Sequence, residues 1–310
     1  PRMGGIVIWA AVAITIFGIA ILARVFDIEW FQQFDFLSRS QTWIPLGALL
    51  VGAFVGFIDD LLIIGPRGDG LRLRHRLLIV IALAGFAGWW FWAKLGVSVI
   101  NIPFATPLIL GWLIIPFFIC LALGLYASGV IDGIDGLSGG VFASIFASYT
   151  IIAFFQHQAS LAAFCASVVG GLLAFLWFNI PPARFYMSDT GTMALTLSLA
   201  VVAFMTDSLG GGVGVAALPI IGFLLVVTVL SNIAQIASKK FRGKKLLRVA
   251  PLHHHFEAIG WSGQKVVMRY WVLSVVCAFA GVLMAISALP AVTTNITQPS
   301  LIPTPFQGVR

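Results

Sequence analysis

The sequence predicts an all-α, polytopic transmembrane protein with about nine spans, and three observations carry that prediction. Hydrophobic residues make up 60% of the chain and charged residues only 9%, against about a quarter charged in an ordinary soluble domain. The mean hydropathy is +1.04. Apolar runs close to the ~20 residues that cross a bilayer recur along the chain, separated by basic loops.

The runs fall at about 5–24, 43–64, 77–93, 108–127, 138–156, 160–178, 191–206, 214–237 and 267–289. The third and seventh are short for spans. Pro116, Gly170, Gly171 and Pro219 lie inside runs, where close helix contacts and kinks are tolerated. Residues 1–289 read as one membrane domain without internal repeats, and the polar, proline-rich tail 290–310 is expected to be mobile. The chain opens on Pro1-Arg2-Met3, with no charged region or cleavage site ahead of the first run. That run is therefore not a signal peptide, and the native N-terminal end is expected to be missing. Cys120, Cys165 and Cys277 sit in apolar runs and read as small buried hydrophobes.

Charge sets the orientation. With Pro1 inside, the inner segments hold Arg2, Arg67, Arg72, Arg74, Arg76, Arg184, Lys239, Lys240, Arg242, Lys244, Lys245, Arg248, Lys265 and Arg269, and the outer ones only Arg24, Arg39, Lys94 and Arg310. Positive residues favour the cytoplasmic side, which makes that side the inner one. The net charge of +7 then reflects loops facing anionic lipid rather than nucleic acid. Asp59, Asp60, Asp69, Asp132, Asp135, Asp189, Glu257 and His253 to His255 fall on that same side, although none was used to choose it.

Four motifs there carry candidate chemistry. In Gly56-Phe57-Ile58-Asp59-Asp60-Leu61 two carboxylates lie inside a helix end, pointing about 100° apart. Intramembrane acids are costly and are functional candidates for that reason, although a helix end dipping into headgroups would also carry them. In Asp132-Gly133-Ile134-Asp135-Gly136-Leu137 the spacing puts both acids on one face if the segment is helical, a device suited to Mg²⁺ or diphosphate. Asp-Gly pairs also make ordinary turns. In the stretch from Asn179 to Thr192, Asp189 opens the seventh span, with Ser188 or Asp189 as the expected N-cap. In Ala250-Pro251-Leu252-His253-His254-His255-Phe256-Glu257 the imidazoles could serve as acid, base or phosphate ligands. Adjacent histidines do not share a helix face, so one metal held by all three is not expected. Arg74 and Arg76, in a loop mostly explained by topology, are the candidates for clamping phosphate.

With these motifs in place, the sequence resembles the phospho-N-acetylmuramoyl-pentapeptide transferases, within the polyprenyl-phosphate N-acetylhexosamine-1-phosphate transferase superfamily. The likeness runs from Met3-Gly4-Gly5 to about Leu289. It rests on Phe57 to Asp60, Asp132 to Leu137, Phe178-Asn179 through Asp189, and above all Ala250 to Glu257 with Gly260-Trp261. The resemblance implies a ten-helix protein whose first helix is absent from this chain, located in the bacterial plasma membrane with its site facing the cytoplasm. It implies transfer of phospho-N-acetylmuramoyl-pentapeptide from UDP to undecaprenyl phosphate, with release of UMP and Mg²⁺ as cofactor. Asp189 matches the family's metal ligand. Asp59 and Asp60 match the pair near the lipid phosphate, and Asp132 and Asp135 match acids lining the nucleotide region. His254 matches a catalytic histidine. Asn179, Tyr186, His253 and His255 match substrate contacts, with Tyr186 where a phenylalanine stacks on uracil. A homodimer is expected from the resemblance alone. Gly129, Asp69, Arg2, Ser188 and Thr192 depart from the pattern, which has asparagine, lysine, threonine, glycine and serine there. The other readings weighed are a transferase using another UDP-sugar, a transporter and a non-catalytic homologue.

Overall fold

The computed structural model describes residues 2–26, 42–65 and 68–289. Among these are eleven α-helices: α1 (Gly5–Val25), α2 (Trp43–Ile64), α3 (Leu73–Ala93), α4 (Ile114–Ser128), α5 (Leu137–Phe155), α6 (Ala159–Asn179), α7 (Ser188–Met205), α8 (Gly214–Ile221), α9 (Phe223–Arg242), α10 (Leu252–Ala258) and α11 (Gly263–Ser287). All but α8 and α10 belong to one of nine segments long and apolar enough to span a bilayer. The protein is a multi-pass membrane protein. Large apolar side chains such as Ile14, Phe54, Phe86, Trp177 and Phe279 lie exposed on the bundle surface, where hydrocarbon rather than water is the solvent.

The centre of the bundle is α7. Every residue from Thr190 to Met205 is buried, yet this helix has one of the lower hydropathies of the nine. Its threonines, serine, glycine and alanines explain both facts. Small residues let neighbouring backbones come close, which drives helix association where lipid removes the hydrophobic drive. The neighbours reciprocate. A Cβ at Gly56 of α2 would lie 2.1 Å from the Asp189 carbonyl oxygen, and one at Gly52 would lie 2.6 Å from that of Met193. A Cβ at Gly5 of α1 would stand 2.2 Å from the Gly191 nitrogen. Gly56→Ala therefore pushes backbone against backbone. It is expected to destabilise the fold by about 1–3 kcal/mol, the usual range for overpacking, read as a lowered unfolding midpoint in detergent.

Several boundaries differ from the sequence expectation. The eighth run, 214–237, is not continuous but breaks at Gly222 into α8 and α9, just after Pro219, which lacks the N–H a continuing helix would use. The run at 108–127 begins instead with β2 (Leu108–Ile109), paired antiparallel with β1 (Val99–Ile100), and a 3₁₀ turn at Gly111–Leu113. The third and seventh spans are full length, at 21 and 18 residues, because their first turns carry polar residues that hydropathy reads as loop. Cys165 is buried, but Cys120 is exposed on the bundle surface, the lipid-facing environment of an apolar span. The tail 290–310, Arg39 and Arg67 lie outside the described residues.

At the bundle end opposite the acidic motifs sits Asp207, just beyond α7. It is fully buried and accepts hydrogen bonds from the backbone N–H groups of Asn101 at 2.9 Å and Val215 at 3.0 Å. Burial raises its pKa to about 6. A raised carboxyl contributes stability that is full below the unfolded value near 4 and lost as pH rises through about 6. Asp207→Asn is expected to flatten the decline in unfolding temperature between about pH 4 and pH 6, measured against the parent chain.

Candidate active site

The acidic motifs meet where the first turn of α7 abuts the last turns of α2. Asp59 and Asp60 are both fully buried, and their ~100° separation sends them to different partners. Asp60 reaches α7. It accepts the Thr190 N–H at 3.0 Å, the Thr190 hydroxyl at 2.5 Å and the Ser188 hydroxyl at 2.6 Å. No side chain of α7 itself caps that helix, which corrects the expectation of Ser188 or Asp189 as N-cap. Asp60 supplies the cap from another helix, placing a carboxylate at the positive end of the α7 dipole.

Asp59 turns to the chain entering α3. Its carboxylate accepts the Leu71 N–H at 2.5 Å and forms an ion pair with Arg76 at 2.7 Å. A second guanidinium nitrogen of Arg76 contacts Asp189 at 2.9 Å, and its Nε donates to the Leu71 carbonyl at 3.0 Å. Arg76 thus joins two acidic motifs that lie far apart in sequence. The Asp189 side chain is 26% exposed, so it faces accessible space. Arg74 is exposed and Asp69 lies exposed in the connecting loop.

The Asp132–Leu137 motif is a turn, not a helix, so its acids do not share a helical face. A 3₁₀ turn ends at Ile131, and Gly136 takes a φ of +81° ahead of α5, a conformation glycine adopts freely. Asp132 accepts the Ser138 hydroxyl at 2.6 Å and the Ser188 N–H at 2.9 Å. Asp135 accepts the Ala183 N–H at 3.0 Å. Burial pushes the Asp132 carboxyl above the usual carboxylate range, opposed by those two hydrogen bonds. Asn179 is buried, with its amide committed on both sides: it accepts the Gly136 N–H at 2.9 Å and donates to the Phe185 carbonyl at 2.8 Å. Trp271 of α11 donates to the Gly136 carbonyl at 3.1 Å, so this turn is clamped from two helices. Tyr186 is half exposed, while its backbone carbonyl and that of Met187 accept the first N–H groups of α1.

The histidine motif forms α10, and its three side chains diverge. His253 is fully buried, and neither ring nitrogen has a hydrogen-bond partner among the described residues. Burial, helped by the neighbouring His254, lowers its pKa to about 3, so it is neutral at pH 7. His254 lies half buried with Nδ1 2.7 Å from Glu257. His255 accepts the Arg248 N–H at 3.2 Å. The Nε2 atoms of His253 and His254 both approach Gly133: a Cβ there would stand 2.6 and 2.7 Å from them. The histidine motif therefore abuts the turn that bears Asp132.

Among the described residues no three His, Cys, Asp or Glu side chains form a ready metal cage. The donor set suits a different mode. Mg²⁺ keeps waters and takes one or two carboxylates plus substrate phosphates, and here the Arg76 guanidinium already occupies a cation position between Asp59 and Asp189.

The sequence profile described as glycosyl transferase family 4 matches residues 42–207. A phospho-N-acetylmuramoyl-pentapeptide-transferase of Clostridium perfringens is 38% identical over 242 residues, covering 77% of this chain and 74% of the relative. The chain belongs to this transferase family. Relatives of the same name from Caldanaerobacter subterraneus subsp. tengcongensis and Bacillus cytotoxicus are 33% and 34% identical, over 90% and 92% of this chain and 82% and 84% of theirs. Family membership makes the chain a phospho-sugar transferase.

Two departures from the family pattern touch one another. A Cβ at Gly129 would lie 3.3 Å from the Thr192 Cβ, so the smaller residue at 129 matches the larger one at 192. Gly129→Asn alone is expected to cost about 1–3 kcal/mol through overpacking. Adding Thr192→Ser should recover part of that loss, giving a coupling energy of about 0.5 kcal/mol or more in a double-mutant cycle. Additive losses would disprove the fit. Ser188, where the pattern has glycine, adopts a φ of +59°, a conformation costly for a side-chain residue. Its hydroxyl bond to Asp60 and its N–H bond to Asp132 hold it there.

Asp207 was missed by sequence reading. It lies on the far side in no acidic motif, and only its burial marks it out. The Asp60 cap was also unreadable, since the helix it caps lies about 130 residues downstream.

Proposed function

We propose that this chain transfers phospho-N-acetylmuramoyl-pentapeptide from its UDP donor to undecaprenyl phosphate, the membrane step of peptidoglycan synthesis that yields lipid I and UMP. The reading is supported by family membership with relatives of that name. The single observation that carries it to this chain's own site is the convergence of Asp59, Asp60, Asp132 and Asp189 around the first turn of α7. The site faces the cytoplasm of the bacterial plasma membrane, following the positive-inside bias of the loops.

In the reaction an acceptor phosphate oxygen attacks the sugar-bearing phosphorus of the donor. The phosphoanhydride bond to the uridine-side phosphate breaks, and UMP leaves with that bond's electron pair. Such transfers depend mainly on alignment and on stabilising charge. Asp189 would hold Mg²⁺, which would supply charge neutralisation on the diphosphate. Asp60 and Ser188 fix the backbone that presents Asp189. Asp132 and Asp135 hold the loops 183–188 that border the nucleotide, with half-exposed Tyr186 available to stack on the base. His254, oriented by Glu257, is the imidazole available to substrate phosphate or sugar, and His253 and Asn179 act by positioning. The apolar cleft of about 240 Å³ between α4 and α8–α9, which reaches Ser128, has room for only the first isoprene units of the acceptor, leaving the rest of its hydrocarbon in the lipid.

A panel of UDP-sugars with undecaprenyl phosphate tests this reading. Turnover of the muramoyl-pentapeptide nucleotide above UDP-N-acetylglucosamine supports it; the reverse preference rejects it in favour of another branch of the superfamily.

A further inference from the structure

Two carboxylates at the site share one guanidinium, and that guanidinium stands where a metal would be needed. Arg76 is 21% exposed and bridges Asp59 at 2.7 Å and Asp189 at 2.9 Å. Its anchoring is uneven. On the Asp59 side, Nε also donates to the Leu71 carbonyl, and Leu71 in turn donates to Asp59, so backbone, acid and guanidinium form a closed ring. On the Asp189 side a single nitrogen makes the one contact to that acid, and the Tyr126 hydroxyl also interacts with the guanidinium. Asp59 is fully buried, whereas Asp189 is partly open. The partner Arg76 can release is therefore Asp189.

We propose that Arg76 is a resident counter-ion which a divalent cation displaces from Asp189, so that metal loading frees one face of the guanidinium for a substrate phosphate. This rests on the reading of Asp189 as the metal ligand. Before loading, Arg76 neutralises two buried or half-buried acids that would otherwise repel each other across the α2–α7 contact. After loading, the cation takes over Asp189. Arg76 stays on Asp59 and Leu71, and its freed Nη1 is left to donate a charge-assisted hydrogen bond to a phosphate oxygen in the same space. Arg76 is thus a positioning residue whose competition sets the cation affinity. The site favours the metal strongly only when an anionic substrate arrives to take the displaced arginine.

Binding of Mn²⁺ to the purified full chain in detergent, followed by the electron paramagnetic resonance of free Mn²⁺, tests this without turnover. With no nucleotide or lipid present, Arg76→Gln is expected to bind Mn²⁺ roughly tenfold more tightly than the parent, within the range of ordinary site-to-site coupling. Arg76→Lys, which keeps the charge but cannot bridge Asp59, the Leu71 carbonyl and Asp189 from separate nitrogens, is expected to fall between them and guards against a Gln variant that fails to fold. Equal or weaker Mn²⁺ binding by both variants overturns the exchange while leaving Asp189 as the metal ligand. Mn²⁺ binding by the parent that is unchanged in Asp189→Asn overturns both. A second readout separates competition from simple loss of structure: Mg²⁺ should raise the unfolding temperature of Arg76→Gln more than that of the parent.

Discussion

Asp189→Asn is expected to lower the rate of lipid product formation by about a thousandfold or more, the scale lost when a transition-state charge loses its main electrostatic partner. The substitution is isosteric. The carboxylate is partly exposed and its contact is with Arg76, so the stability change should stay near 1 kcal/mol. The combination is diagnostic: an almost inactive protein whose unfolding midpoint scarcely moves. Retention of a tenth of the parent rate, with Mg²⁺ saturating, would remove Asp189 from the metal role.

Asp60→Ala should do the opposite kind of damage. Asp60 is fully buried and receives three donors, two of them from Thr190 and one from Ser188. Its removal leaves the Thr190 N–H at the α7 terminus buried without a partner and deletes the charge that complements the helix dipole. A loss of about 1–3 kcal/mol is expected, the cost of leaving a buried donor without its partner. Activity falls with it, because the Ser188–Asp189 backbone is no longer fixed. Asp60→Asn keeps the shape and part of the hydrogen bonding, and should retain more of the fold than of the activity. An Asp60→Ala chain with parental stability would contradict the cap.

Asp60 and its sequence neighbour Asp59 thus meet different partners, Asp60 capping α7 and Asp59 pairing with Arg76. Composition and hydropathy made the nine spans legible, because each is a property of a local window. The polar ends of α3 and α7 were not, because Arg74 to Arg76 lower the local hydropathy and the start of α7 is capped by Asp60 from another helix. Asp59 and Asp60 form one motif in the sequence, but their partners lie 17 and 130 residues away, beyond any spacing rule. The turn at Asp132 shows the limit of periodicity: a spacing of three predicts a shared face only within a helix, and Gly133 and Gly136 end that premise. Ser188 and Gly129 looked like departures in a list of residues. In three dimensions one is held by Asp60 and Asp132 and the other fits against Thr192.

The central claim is tested most directly by supplying the purified chain with UDP-N-acetylmuramoyl-pentapeptide, undecaprenyl phosphate and Mg²⁺, and quantifying UMP and the lipid-linked sugar together. The geometry predicts equal amounts of both products, dependence on Mg²⁺, and loss of both in Asp189→Asn. Absence of lipid product from a folded chain, or product formed equally well by Asp189→Asn, would contradict it.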